Sequence, residues 1–468
     1  MALTTAEAAP AGKRAGRAAG TGLRLPEMLA FVAPALAVGA LGIPLSLYLP
    51  PYYSGHVGLS LAAVGLAFFI VRIIDIGFDP LVGLAIDRTR TRWGQCRPWF
   101  VGGAALISAG SLVLFLAPPG ATVAYLVLAL LVLYAGYSIV TVAQPAWAAR
   151  LAPQYDERSR VYAWLHAAQA VGTFLILGAP TAISAAVGLE PGGEVHLMGW
   201  GIALALPIGL AIALWRVREP SPTEEETHQK ARLGDYIAIL RRPSVARLVA
   251  ADALTAIGTG TSTSLFMFFW RSHGVSQTNT SVLVLIYLAS SLASVPLWMA
   301  VARKIGKHRA LILSCVGFVV VIPGMGFLPP NRLEILGPAI AVLGLTFSGQ
   351  FLIRAMAADA ADDVRLHTGL ERTAQVYALL ASTAKAGSAA AVGGAYAILD
   401  AAGFSAAEGA ANSTAALRTL GFLYLGFPAF AMICGAVAFL GYKLDSKEHA
   451  RIRGLLAERD RAAASQAA

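Results

Sequence analysis

Apolar runs long enough to cross a bilayer recur twelve times along this chain, near 28–50, 60–86, 98–117, 121–148, 162–187, 196–216, 245–270, 279–302, 309–328, 335–357, 374–399 and 416–442. A membrane-crossing helix needs about 20 predominantly apolar residues. Within lipid, only helices and closed barrels satisfy every backbone N–H and C=O. The pattern therefore predicts an all-α membrane protein with twelve transmembrane helices. Composition agrees: 57% of the 468 residues are apolar and 13% charged, against about 25% charged in a soluble domain.

The net charge of +10 raises the question of nucleic acid, and the placement of the charge answers it. Thirty of the 36 Lys and Arg fall in the N-tail, the even-numbered connections and the C-tail. Arg271, Arg332 and Arg418 lie on the other side, and Arg72, Arg354 and Lys385 lie within spans. By the positive-inside rule this predicts a multi-pass membrane protein with both termini cytoplasmic, and no nucleic-acid partner. Cys96 sits in a connection and Cys315 and Cys434 in spans, so neither a disulfide framework nor a zinc site is indicated. The chain contains no Gly-x-Ser-x-Gly elbow, His-Glu-x-x-His pair or Walker loop. The expectation is a non-enzyme without a cofactor.

The expected organisation is an N-tail (1–27), a six-helix bundle (28–216), a cytoplasmic linker (217–244), a second six-helix bundle (245–443) and a C-tail (444–468). The linker is the polar stretch "RVREPSPTEEETHQKARLGDYIAILRRPS". Internal similarity supports two pseudo-symmetric halves. "ERSRVYAWLHAAQAVG" (157–172) resembles "ERTAQVYALLASTAKAG" (371–387), each leading into the fifth span of its half. A weaker echo pairs "DRTRTRWGQCRPW" with "ARKIGKHRAL", both basic turns carrying a Gly. Repeats at corresponding positions of two helical halves characterise transporters that rock one half against the other.

Arg72, Asp75 and Asp79 are spaced three and four apart, so they share one helix face. An ionised side chain near mid-bilayer costs about 2.5–3.5 kcal/mol on insertion scales, and such groups face the bundle interior, a partner or water. Two carboxylates one turn apart can chelate a small cation or share a proton, as coupling to an ion gradient requires. The plainer alternative is a structural Arg72–Asp75 pair. Lys385, deep in its span, can face those carboxylates from the other half. Arg354, five residues before Asp359, is expected to snorkel to the interface. His166 is a candidate proton relay or solute contact. Trp147, with Gln144 nearby, offers either a flat face to a sugar or an interfacial anchor. Asp87 with Arg88, and Asp156, Glu157 and Arg158, form cytoplasmic clusters suited to gating.

"RIIDIGFDPLVGLAIDRTRTRWGQCRPW" resembles the second-helix signature of the glycoside-pentoside-hexuronide:cation symporters (melibiose permease-like) of the major facilitator superfamily. Similarity extends through "PAWAARLAPQYDERSR" and "MAADAADD...AKAG". The resemblance implies symport of Na+, Li+ or H+ with a sugar-like solute. It assigns Asp75 and Asp79 to the cation site, Lys385 to a functional Lys and Trp147 to a sugar-site Trp. Departures are equally specific. Phe78 and Val140 stand where the family pattern has an Asn and a Thr, which removes two neutral oxygens and favours H+ over Na+. Val38, Gly39 and Ala143 stand where it has charged sugar-binding groups, and Leu165 or His166 falls near an Arg. The expected function is H+-coupled symport of a sugar or glycoside by a monomer in the lipid bilayer. The alternatives are a lysophospholipid or other amphiphile transporter, or a transport-inactive sensor.

Overall fold

The computed structural model describes residues 23–151, 155–190, 192–219, 233–330, 332–369, 372–407, 410–442 and 444–467. Twelve long helices run through the described residues: α1 (Leu25–Val57), α2 (Leu61–Arg88), α3 (Arg97–Phe115), α4 (Val123–Leu151), α5 (Tyr155–Val187), α6 (Gly193–Arg216), α7 (Pro243–Ser272), α8 (Gln277–Ile305), α9 (Lys307–Phe327), α10 (Leu333–Thr368), α11 (Thr373–Ala401) and α12 (Thr414–Ala438). Ten of them are both long and apolar enough to cross a membrane. The other two, α7 and α11, have 30 and 29 residues, which is ample length, but are diluted by Ser, Thr and Gly in "TAIGTGTSTS" and "STAKAGSAAAVGG". A short helix, Leu233–Leu240, precedes α7, and a C-terminal helix, Ser446–Ala467, follows α12.

Local chemistry sets several boundaries. Ser60, Ser276 and Ser413 cap α2, α8 and α12, each hydroxyl accepting from the backbone N–H three residues on at 3.2 Å, which satisfies one donor that the helix start leaves open. Pro44, Pro50 and Pro51 lack the N–H that an α-helix interior needs. Along them α1 widens into π turns at Pro44–Tyr48 and Tyr52–Val57. The acidic and basic residues 156–160, expected in a connection, instead lie in the first turns of α5.

Packing repeats with a step of six helices. α1 packs on α5 and α6, as α7 does on α11 and α12. α2 packs on α4 and α8 on α10; α3 packs on α4 and α6, and α9 on α10 and α12. The halves meet where α2 packs on α11, where α5 packs on α8 and where the π-turned stretch of α1 packs on α7. The sequence repeat has its reason here. Gly172, where the first repeat ends, leaves no room for a Cβ, which would meet the Leu36 carbonyl oxygen of α1 at 1.8 Å. Gly387, at the end of the second repeat, lies correspondingly against Ala253 and Ala256 of α7, at 3.1 and 3.0 Å. Small residues at helix crossings let backbones approach where lipid supplies no hydrophobic drive.

Candidate functional site

The stripe on α2 meets α4 and α11. Asp75 is 3% exposed, and three groups converge on it: the Ser138 hydroxyl of α4 donates to Oδ1 at 2.6 Å, Arg72 Nη1 donates to Oδ2 at 3.3 Å, and Lys385 Nζ lies 3.0 Å from Oδ2. Lys385 also donates to Oδ2 of Asp79 at 2.5 Å. A single ammonium from α11 thus bridges both carboxylates of α2 across the seam. Oδ1 of Asp79 is enclosed and has no hydrogen-bond partner among the described residues. The Arg72 guanidinium lies 5.0 Å above the Tyr134 ring, a cation–π contact that strengthens when desolvated. Two carboxylates and two cations balance in formal charge. Both the Arg72–Asp75 pair and the carboxylate doublet are therefore present at once.

Ser138, Tyr134 and Tyr137 were missed from sequence. Their three-and-four spacing within "YAGYSIVT" was the available signal, and it marks a polar face on an otherwise apolar α4. Ser138 supplies one neutral oxygen to the carboxylates. Val140 is fully buried and Phe78 packs on the apolar core, so neither replaces the missing ones.

Beside the stripe lies a cavity of about 110 Å³, walled by Ser46 of α1, Arg72, Tyr134, Tyr137 and Ser388 among others. It is small against the roughly 300–1,000 Å³ of pockets that enclose a drug-sized ligand. A wider cleft of about 500 Å³, bordered by Tyr48, Tyr52, His56, Glu190, Arg271 and Gln277, opens at the end of the bundle away from the basic connections.

The remaining sequence candidates are distributed elsewhere. Trp147 is fully buried in the N-terminal half, with Phe31 and Phe100 edge-on at 5.2 and 6.1 Å and the Arg97 guanidinium 5.9 Å from its ring centre. Its surroundings leave no ring face open in this conformation, and its indole N–H has no acceptor among the described residues. Gln144 is buried and donates to the Phe31 carbonyl at 3.3 Å, tying α4 to α1. His166 is exposed on α5 and lines neither cavity. Arg354 does more than snorkel: it pairs with the 6%-exposed Asp252 of α7 at 3.4 Å, because a buried carboxylate without a partner would be costly.

Among the gating candidates, the side chains of Asp87, Asp156 and Arg158 lie outside the described ones, Arg88 is exposed and Glu157 half-buried. The basic turn after α2 nevertheless has a partner that sequence did not reveal. The Glu219 carboxylate, beyond the end of α6, accepts from the backbone N–H groups of Gln95, Cys96 and Arg97 at 2.9–3.1 Å and from Arg150 at 3.0 Å. A carboxylate at a helix N-terminus meets both unsatisfied donors and the positive end of the dipole. Glu219 therefore locks the start of α3 to the ends of α4 and α6. Gly94, at φ +118°, makes room for it: a Cβ there would fall 2.1 Å from Oε2.

Comparison with known proteins agrees with this architecture. The family model described as MFS/sugar transport protein matches residues 30–446. The isoprimeverose transporter of Lactiplantibacillus pentosus is 27% identical over 420 residues, 86% of this chain and 85% of that one. The glucuronide carrier protein homolog of Escherichia coli (strain K12) is 26% identical over 76% of this chain and 78% of its own. Among solved structures, the nucleoside transporter NupG matches with a TM-score of 0.65 at 12% identity, covering 90% of this chain and 100% of that one. A bacterial homolog of the human lysosomal transporter Spinster, in an inward-facing and unoccupied conformation, matches at 0.62 and 15%, covering 92% and 96%. The chain belongs to the MFS/sugar transport protein family, and within the major facilitator superfamily to its glycoside-pentoside-hexuronide:cation symporters.

Proposed function

We propose that this protein carries a sugar or glycoside across the bacterial inner membrane together with a proton, by alternating access of its two halves, as a monomer with both termini in the cytoplasm. One observation carries the coupling: Lys385 of the second half bridges Asp75 and Asp79 of the first. A proton on Asp79 removes that carboxylate's charge and leaves Lys385 with one partner instead of two. The seam then loses part of the attraction that holds α2 to α11, and the halves can separate around the solute. Without the proton, opening would strand a desolvated charge, and breaking one partner from a buried pair costs about 3–5 kcal/mol. The proton thus sets which movements are affordable in free-energy terms.

The sparse oxygens support a proton over a sodium ion. Sodium takes its ligands from several oxygens, whereas a proton needs one carboxylate, and here Ser138 is the neutral side-chain oxygen that reaches the pair. The solute class rests on the relatives, an isoprimeverose transporter and a glucuronide carrier homolog. They favour a sugar or glycoside over a lysophospholipid, and transport over a silent sensor. Arg72, Tyr134, Tyr137, Ser46 and Ser388 supply the donors, acceptors and aromatic faces that sugar hydroxyls and ring C–H groups require. The small volume of their cavity makes this a closed form that must widen to admit solute.

Purified protein in proteoliposomes tests the proposal. With labelled xylosides, galactosides and glucuronides outside, an inside-alkaline pH gradient should drive accumulation of at least one of them, and a Na+ gradient at uniform pH should not. Accumulation driven by Na+ alone would overturn the proton assignment. No accumulation under either gradient would overturn the sugar assignment.

A further inference from the structure

Residues 89–96 join α2 to α3, and both helices are long and apolar enough to cross a membrane. A connection this short, folded back on itself, stays at the depth of the lipid headgroups. Its shape is fixed from within. Thr91 Oγ1 donates to the Gly94 carbonyl at 2.6 Å and accepts from the Trp93 N–H at 3.3 Å, and Thr89 Oγ1 accepts from the Trp99 indole N–H at 2.8 Å. Glu219 holds the far end of the turn through the N–H groups of Gln95, Cys96 and Arg97.

Three side chains take no part in that framework. Arg90 and Arg92 are exposed and have no ion pair or side-chain hydrogen bond among the described residues, and the Trp93 side chain leaves that residue 70% exposed. No Asp or Glu occurs within 88–97, and the Glu219 carboxylate beneath is fully enclosed and already meets Arg150. The turn therefore carries uncompensated positive charge beside a bare aromatic ring. Water is a poor surrounding for an exposed indole, whereas the headgroup layer takes its apolar body and its polar N–H together. Guanidinium groups match phosphate geometry with paired N–H donors. The counterpart turn between α8 and α9 differs: Lys307 there is paired with Asp359 at 2.7 Å, and no tryptophan occurs within 303–309.

We propose that the α2–α3 turn is a docking site for an anionic phospholipid, whose phosphate is held by Arg90 and Arg92 while Trp93 lies among the adjoining headgroups. On the proposed orientation the leaflet is the cytoplasmic one; the site itself rests only on the shape, depth and charge of the turn. Glu219 ties this same turn to the ends of α4 and α6, so a bound lipid anchors that end of the N-terminal half. The α8–α9 turn offers no equivalent.

Native mass spectrometry of the full chain, released from micelles that carry phosphatidylglycerol or phosphatidylcholine of matched acyl chains, tests this. The parent should bind phosphatidylglycerol more tightly than phosphatidylcholine. Arg90→Gln combined with Arg92→Gln should weaken phosphatidylglycerol about 10- to 30-fold, the loss expected for two cations at a lipid surface, and leave phosphatidylcholine unchanged. Trp93→Ala should weaken both lipids alike. Arg303→Gln combined with Lys304→Gln, at the counterpart turn, should leave phosphatidylglycerol within about twofold of the parent, the exposed charges there being generic. Thermal melts in lipid-free detergent should match the parent's for every variant, because the exchanged side chains are exposed, and this shows that each is folded. Unchanged phosphatidylglycerol affinity in the Arg90/Arg92 variant would overturn the site. So would an equal loss in the Arg303/Lys304 variant, which would make lipid binding a property of the cationic surface at large. Parental binding of both lipids by Trp93→Ala would overturn the part given to the indole.

Discussion

Two of the seams between the halves, α2 against α11 and α5 against α8, are related by the pseudo-two-fold, yet they carry different chemistry. At α2 against α11, Asp75, Asp79, Arg72 and Lys385 form a neutral four-charge cluster. At α5 against α8, Ser184 and Thr278 exchange a hydroxyl hydrogen bond at 3.3 Å, and nearby Ser281 of α8 donates to Glu194 of α6 at 2.9 Å. In the sequence repeat Lys385 falls opposite Ala170. A symmetric scaffold has thus placed its cluster of ion pairs at one seam, and the other carries hydroxyl hydrogen bonds beside one buried carboxylate, Glu194. On the proposed function, symmetry of packing would provide the movement and its local violation the coupling.

The largest effects should come from breaking the charged seam. Asp75→Asn leaves Lys385 and Arg72 with one carboxylate between them, and should abolish gradient-driven uptake and lower stability by about 3–5 kcal/mol. Asp79→Asn should also abolish accumulation, and downhill solute exchange should persist in both, as counterflow in proteoliposomes would show. Lys385→Met should lose accumulation as well. Combined with Asp79→Asn, it should destabilise less than the two single changes summed, because groups in one network are not additive; thermal melts of the four proteins form that cycle.

Packing predictions sharpen the comparison between halves. Gly172→Ala should prevent correct assembly of the N-terminal half, since its Cβ would overlap α1 backbone. Gly387→Ala should be tolerated with a modest fall in Tm, because its neighbours at 3.0–3.1 Å can give by a few tenths of an ångström. Ser138→Ala removes a hydrogen bond to a buried charge, worth about 1.5–3 kcal/mol, and should shift the pH dependence of uptake without abolishing it. The smallest effect belongs to the α5–α8 seam: Ser184→Ala should change stability by no more than about 0.5 kcal/mol and leave coupling intact.

Much of this was legible in the sequence, for physical reasons. Lipid forces every spanning segment to be apolar and helical, so the twelve runs could be counted directly. A charge in such a run stands out, which made Asp75, Asp79 and Lys385 readable. What remained hidden depends on which helix faces which. Ser138 is an ordinary residue until α4 turns it toward Asp75. Glu219 sits at the edge of an unremarkable linker until the chain folds it under α3. Trp147 has the look of a solute platform, but its ring is spent on Phe31, Phe100 and Arg97. Arg354 looked like an interfacial cation because Asp252, its partner, lies a hundred residues earlier. The π turns of α1 follow from its prolines, and the small cavity beside them follows only from the packing of both halves.

The central claim is that the α2–α11 seam, and not its α5–α8 counterpart, takes up the proton that moves with solute. Adding solute to lightly buffered, protein-loaded vesicles and recording external pH tests it most directly. The parent protein and Ser184→Ala should both show a solute-triggered alkalinisation outside, and Asp75→Asn and Asp79→Asn should show none while still exchanging solute. An undiminished alkalinisation in both Asp variants would contradict the account.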